Sequence, residues 1–165
     1  MTRKITLIAL VATGSLLFAG SALAATGTAS ASVEILAPLT VVKVLDMEFG
    51  TIAPPSIGNQ DFVLATGGGV TPGPGDGAYF DGAQPAQFTV SGSTDETVGL
   101  NLTVTSPMDG TGVTLETANL VSNPGDTLLL DGTAQPINIG GTLNVASNAS
   151  VGAHTATIQL EVLYQ

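Results

Sequence analysis

Val98-Gly99-Leu100-Asn101-Leu102-Thr103-Val104-Thr105 alternates without a break. Every even-numbered position is aliphatic and every odd one is small or polar. Period two puts all four aliphatic side chains on one face of an extended strand, whereas a helix would scatter them around its axis. Outward from this stretch the same pattern recurs in short pieces. Phe88-Thr89-Val90 precedes it, and Pro107-Met108-Asp109-Gly110 follows as a turn. Val113-Thr114-Leu115 reads as a short strand and Asn123-Pro124-Gly125-Asp126 as another turn. Leu128-Leu129-Leu130 runs into Asp131-Gly132, a hairpin-type signal. Ile137, Ile139, Leu143 and Val145 define a further strand, bulged at Gly140-Gly141.

Upstream, residues 39–45 (Leu-Thr-Val-Val-Lys-Val-Leu) form a strand, and Met47, Phe49 and Ile52 face inward after it. Residues 58–84 contain Gly67-Gly68-Gly69 and Pro72-Gly73-Pro74-Gly75-Asp76-Gly77. Apart from a short strand at 61–65 they read as a long surface loop. No helical periodicity is sustained after residue 24. Short strands separated by Gly, Pro and Asp turns predict an all-β protein built as a two-sheet sandwich.

The two ends carry the most specific patterns. Residues 25–35 alternate small or apolar Ala25, Gly27, Ala29, Ala31, Val33 and Ile35 with polar Thr26, Thr28, Ser30, Ser32 and Glu34. Leu36-Ala37-Pro38 interrupts the pattern, because proline has no N–H to give a ladder. At the other end Ile158, Leu160, Val162 and Tyr164 alternate with Thr157, Gln159 and Glu161. A strand with one apolar face needs a sheet to join. The N-terminal one could pair within its own domain or with a neighbour, and the pattern required is the same for both.

Residues 1–24 read as a secretory signal peptide. Arg3 and Lys4 precede an apolar run from Ile5 to Phe18, and Ala22-Leu23-Ala24 supplies a cleavage site. The expected organisation is a signal at 1–24, an extension at 25–36 and a sandwich domain at 37–165. The expected destination is the periplasm in transit and then the cell surface or the medium. Past residue 24, Lys43 stands alone against thirteen carboxylates, so the net charge is about −12. One cation cannot neutralise a phosphate backbone, which argues against nucleic acid and anionic membranes as partners. Cysteine is absent, so hydrophobic packing must hold the fold.

Few residues offer chemistry. His154 is the one histidine and no nucleophile-elbow motif accompanies it, so it reads as a polar residue of the turn Gly152-Ala153-His154. The glycine runs lack the Lys-Ser/Thr of a phosphate loop. Asp95-Glu96 reads as a solvated hairpin turn, and Asp76 and Asp81 miss the spacing of a calcium loop. No catalytic, cofactor or metal residues are expected, and no enzymatic activity.

The terminal strand, with Gly152 ahead of it and Tyr164 in the penultimate position, resembles the C-terminal pattern of chaperone–usher pilus subunits. The alternating extension resembles the other half of that pattern. The resemblance implies that Gly152, Ile158, Leu160, Val162 and Tyr164 belong to an assembly strand, and that Ala25, Gly27, Ala29, Ala31, Val33 and Ile35 line a donor strand completing the next subunit. A second resemblance covers nearly all of the chain past residue 24. Pro38-Leu39-Thr40-Val41, Asp46-Met47-Glu48-Phe49-Gly50-Thr51-Ile52, Gly140-Gly141-Thr142-Leu143-Asn144-Val145 and the ending Tyr164-Gln165 look like a secreted bacterial family of unknown function, related to spore-coat-U-like secreted pilins. It implies an immunoglobulin-like, pilin-like sandwich, completed by a donated strand, with copies of itself or related subunits as partners. A periplasmic chaperone and an outer-membrane usher follow from the same resemblance. The expected function is a structural subunit of a surface fibre or biofilm adhesin assembled by donor-strand exchange. The alternative is a self-complete surface binding module for glycans, with recognition in the loops at 66–84 and 106–112 and Tyr79-Phe80 as its adjacent aromatic pair.

Overall fold

The computed structural model describes residues 25–165, so the signal-peptide reading of 1–24 lies outside the described residues. Among the described residues there are eleven β-strands and no helix. Among those residues no helix is long and apolar enough to cross a membrane. Residues 25–39 take no strand conformation, and positions 25–35 are all exposed. The remaining chain, Ile35–Gln165, forms one compact unit.

That unit is a β-sandwich, the fold class its alternating strands predict. The larger sheet contains β1 (Thr40–Leu45), β3 (Asn59–Leu64), β4 (Val70–Pro72), β6 (Ala86–Ser91), β8 (Val113–Asn123) and β10 (Gln135–Ala146). The smaller sheet runs in the order β11 (Thr157–Tyr164), β7 (Thr97–Ser106), β9 (Thr127–Leu129). A two-stranded ribbon pairs β2 (Ile52–Ala53) with β5 (Ala78–Tyr79).

The long strand β10 organises the larger sheet. Its first half pairs with β6 and its second half with β3, while β8 pairs along both halves. A strand has two edges, so β6 and β3 share the edge opposite β8 and part company at Gly140. A Cβ on Gly140 would run into the Leu64 carbonyl and the Ala65 backbone. Glycine is therefore what lets the end of β3 pass so close to β10. Inward positions of β10 keep strict alternation through Ile137, Ile139, Leu143 and Val145, all buried. The bulge expected at Gly140-Gly141 thus lies in the partner: between Leu115 and Leu120, residues 116–119 of β8 have no opposite numbers on β10. In that detour the Thr117 hydroxyl accepts the Val104 N–H of β7 at 2.8 Å, a polar tie between the two sheets.

Three other expectations need correction. Residues 58–84 are not one long loop, because β3, β4 and β5 run through them. β3 lies inside the large sheet with Phe62 and Leu64 fully buried. Polar Gln60 occupies an inward position there, which is why the strand read at 61–65 begins two residues earlier, at Asn59. Its amide is satisfied by the glycine-rich segment: Nε2 donates to the Gly73 and Gly77 carbonyls (3.0 and 3.3 Å), and Oε1 accepts the Gly77 N–H (2.8 Å). The expected strand at 113–115 extends to eleven residues, its period masked by the detour. Asp95-Glu96 and Asp131-Gly132 are not hairpin turns. The first carries the chain from β6 to β7 and the second from β9 to β10, in each case from one sheet to the other.

The core has two parts. One gathers Val90, Val98, Leu100, Leu130, Ile137 and Leu160; the other gathers Phe49, Phe62, Leu64, Leu115, Leu143 and Val145. Met47, Leu102 and Ile158 are only partly buried and pack against both parts. They form the seam, and the seam is where the sandwich is open.

Candidate functional site

A groove of about 890 Å³ enters the sandwich at this seam. Its floor is the inner face of the large sheet: Ala86 and Phe88 of β6, Leu115 of β8, and Leu143 and Val145 of β10. Segment 45–52 makes one wall and segment 149–158 the other.

The first wall is held by backbone pairing to the chain around Phe80. Glu48 and Gln84 exchange two hydrogen bonds of 2.8 Å, Thr51 N donates to the Asp81 carbonyl at 2.9 Å, and Phe80 N donates to the Thr51 carbonyl at 3.0 Å. Gly50 permits this approach with φ +76°; a Cβ there would strike the Asp81 carbonyl. Lys43, the cation of the described chain, sits on the rim and pairs with Asp46 at 2.7 Å.

The second wall is fastened to the loop before β8. Asp109 N donates to the Thr155 carbonyl (3.1 Å), and the Asp109 carboxylate accepts Thr155 N (2.5 Å) and the Thr155 hydroxyl (3.3 Å). Those bonds, the Thr155 N–H first, hold the Asp109 carboxyl below its ordinary pKa. The His154 side chain is 17% exposed and lies between the two segments. Its Nδ1 is 2.5 Å from the Asp109 carbonyl oxygen and its Nε2 is 2.8 Å from that of Ser150. The Ser150 carbonyl first, then that of Asp109, raises the histidine above its ordinary pKa. Gly110 leaves room for the ring, since a Cβ there would overlap it.

The groove is flanked by two free strand edges. Among the described residues β1 pairs only with β6, and β11 only with β7. All six residues of β1 are exposed, Val42 at 52% and Val44 at 48%. An apolar edge strand of this kind offers unpaired N–H and C=O groups to an incoming strand. The two edges converge away from the groove: the Tyr164 hydroxyl at the end of β11 donates to the Ala37 carbonyl (2.7 Å) and accepts Ser93 N (2.8 Å). The gap is therefore closed at the Tyr164 end and open at the Thr157 end.

The sequence-derived site residues fall as follows. Ile158 lines the groove and touches both core parts, while Leu160, Val162 and Tyr164 pack in the first core. Gly152 precedes β11 in an exposed turn on the groove wall, with φ +135° and open space around it. Ala25, Gly27, Ala29, Ala31, Val33 and Ile35 are exposed and pair with nothing in a sheet. Tyr79 packs in the second core and its hydroxyl accepts Ala83 N at 3.2 Å, while Phe80 is 65% exposed. Asp76 is capped by the Ser56 hydroxyl and N–H, which lower its pKa. Among the described residues no three His, Cys, Asp or Glu side chains gather to hold a metal ion. Sequence reading missed the bridge made by His154, because its partners are main-chain carbonyls and carry no residue signature.

No curated protein and no solved structure matches the chain. A family model described as a domain of unknown function (DUF4402) matches residues 39–164, from just before β1 to the last residue of β11, and the chain belongs to that family.

Proposed function

We propose that the chain is a non-enzymatic structural subunit of a surface fibre or biofilm adhesin, in which residues 25–35 of one copy fill the groove of the next. The observation that carries this reading is the apolar opening at the seam beside the free edge of β11. A strand added there would gain ladder hydrogen bonds along β11 and cover Phe88 and Leu143 with alternate side chains. Residues 25–35 have the required period, are exposed, and take part in no sheet. Extended at about 3.3 Å per residue, eleven residues reach farther than the eight of β11. Val33 and Ile35, 83% and 86% exposed, would each contribute about 1.5–3 kcal/mol on burial. Export by the 1–24 signal, with a chaperone to shield the groove in transit, belongs to the same proposal.

Gel electrophoresis of surface-extracted protein in SDS, with and without boiling, tests it. Strand-exchanged polymers are kinetically trapped, so a ladder that collapses on heating is the expected result. Deleting residues 25–35 should abolish the ladder and leave a secreted monomer. A single monomer band before and after boiling overturns the fibre reading in favour of a self-complete binding module, for which the exposed ring of Phe80 is the place to look for glycan contact.

A further inference from the structure

Beside the Asp109–Thr155 bonds and the Ser150 N–H to Thr111 carbonyl bond (3.0 Å) that join the wall at 149–156 to the loop at 107–112, one side chain of the wall has two partners of the same kind. Both ring nitrogens of His154 meet main-chain carbonyl oxygens, at 2.5 Å (Asp109) and 2.8 Å (Ser150). A carbonyl can only accept. A neutral imidazole has one N–H and one lone pair, so it satisfies one carbonyl and points its lone pair at the other. Only the imidazolium donates to both.

We infer that His154 is a proton-operated latch on the groove: the imidazolium ties the Asp109 carbonyl to that of Ser150 and holds the 149–156 wall in its strand-accepting shape, and the neutral ring lets that wall loosen. The inference rests on the reading of the groove as a strand acceptor. A wall already ordered has less conformational freedom to lose when a strand docks, so the protonated protein binds the strand more tightly. The charged neighbours agree with this sense. The Asp109 carboxylate, with Oδ1 4.0 Å from Nδ1, favours the cation. Across the groove stand Glu48 and the Lys43–Asp46 pair, the lysine already neutralised. The Ser150 hydroxyl, 3.5 Å from Nε2, receives Thr111 N at 3.2 Å and faces the Thr111 carbonyl at 3.5 Å. It can donate to the neutral ring only by turning from that carbonyl. His154 is the one histidine of the chain, and an imidazole is the side chain whose ordinary pKa lies between about pH 5 and pH 8.

The experiment uses the full chain carrying V33D and I35D, which stops its own extension from donating, and a synthetic peptide of residues 25–36. Peptide affinity is measured at about pH 5 and pH 8.5, and the His154 ring is titrated by NMR with and without peptide. Binding should be about five-fold tighter at the lower pH, the small end of ordinary coupling between sites. Linkage is reciprocal, so the peptide should move the His154 midpoint up by about 0.7 in pH. His154→Gln should bind with a single, pH-independent affinity. Peptide binding that is flat in pH, with an unmoved midpoint, overturns the latch and leaves the groove reading intact. Tighter binding at the higher pH also overturns it. No peptide binding at either pH removes the groove reading and the latch together.

Discussion

The hydroxyl of Tyr164 donates to the carbonyl of Ala37 across 127 positions of chain, at 2.7 Å. The same oxygen accepts the Ser93 N–H at 2.8 Å, and Gly92 beside it leaves space for the ring end and for Leu39. One phenol thus joins the segment leading into β1, the turn after β6 and the end of β11. Tyr164→Phe removes both bonds and keeps the ring. Each neutral bond is worth about 1 kcal/mol, so urea unfolding should report a loss of about 1–2 kcal/mol with an unchanged slope. A variant as stable as the parent would show that the oxygen is better satisfied by water than by the fold.

Gly140→Ala places a methyl against the Leu64 carbonyl, where backbone rather than a flexible side chain stands in the way. β3 and β10 must move apart to admit it. The expected cost is about 1–3 kcal/mol, as for overpacking in a core. Amide exchange should accelerate in β3 near Leu64 before it does in β7, since the strain is local to the branch point.

Gln60→Leu keeps the bulk of a buried side chain and deletes its three bonds to the backbone of Gly73 and Gly77. Those main-chain groups then need other partners. Destabilisation of about 1–3 kcal/mol is expected, with new proteolytic sensitivity confined to residues 72–77. Uniform sensitivity along the chain would mean that the segment does not depend on Gln60.

Stability should fall on both sides of a window set by two kinds of group. His154 is raised by its carbonyl partners, so its contribution is complete below about pH 6.5 and is lost as pH rises through its folded value. Asp109, Asp76 and Asp131 are lowered, by Thr155, Ser56 and Thr133. Their contributions are present above the ordinary aspartate value near 3.9 and vanish as pH falls through their folded ones. Thermal melts should therefore peak between about pH 4 and pH 6.5, and His154→Gln should flatten only the alkaline limb.

How much of this could be read from the chain depends on how each residue is satisfied. β7 was legible because Val98, Leu100, Leu102 and Val104 all turn one face inward, against one core part or the other, and β11 for the same reason. β3 was legible only in its last four residues, through the strand read at 61–65, because Gln60 takes an inward place that its own amide partners make tolerable. β8 was cut short on paper because residues 116–119 leave the ladder and reset its period. Turns were recognised but their destinations were not. Asp131-Gly132 looks alike whether it joins partners in a sheet or crosses between sheets, and only the packing of both sheets decides. The terminal pattern located one strand of the groove through Ile158, whereas the opposite wall at 45–52 and the His154 bridge are products of tertiary approach.

Met47 lies on the seam between the two core parts, and Met108 lines the same groove. With no cysteine in the chain, these two thioethers are all the sulfur it carries past Met1. An oxidant reaching the folded domain finds its target where the interior is open. Conversion of either thioether to a sulfoxide puts a strongly polar oxygen on an apolar lining. The sulfur of the domain is thus gathered at the opening between its two core parts.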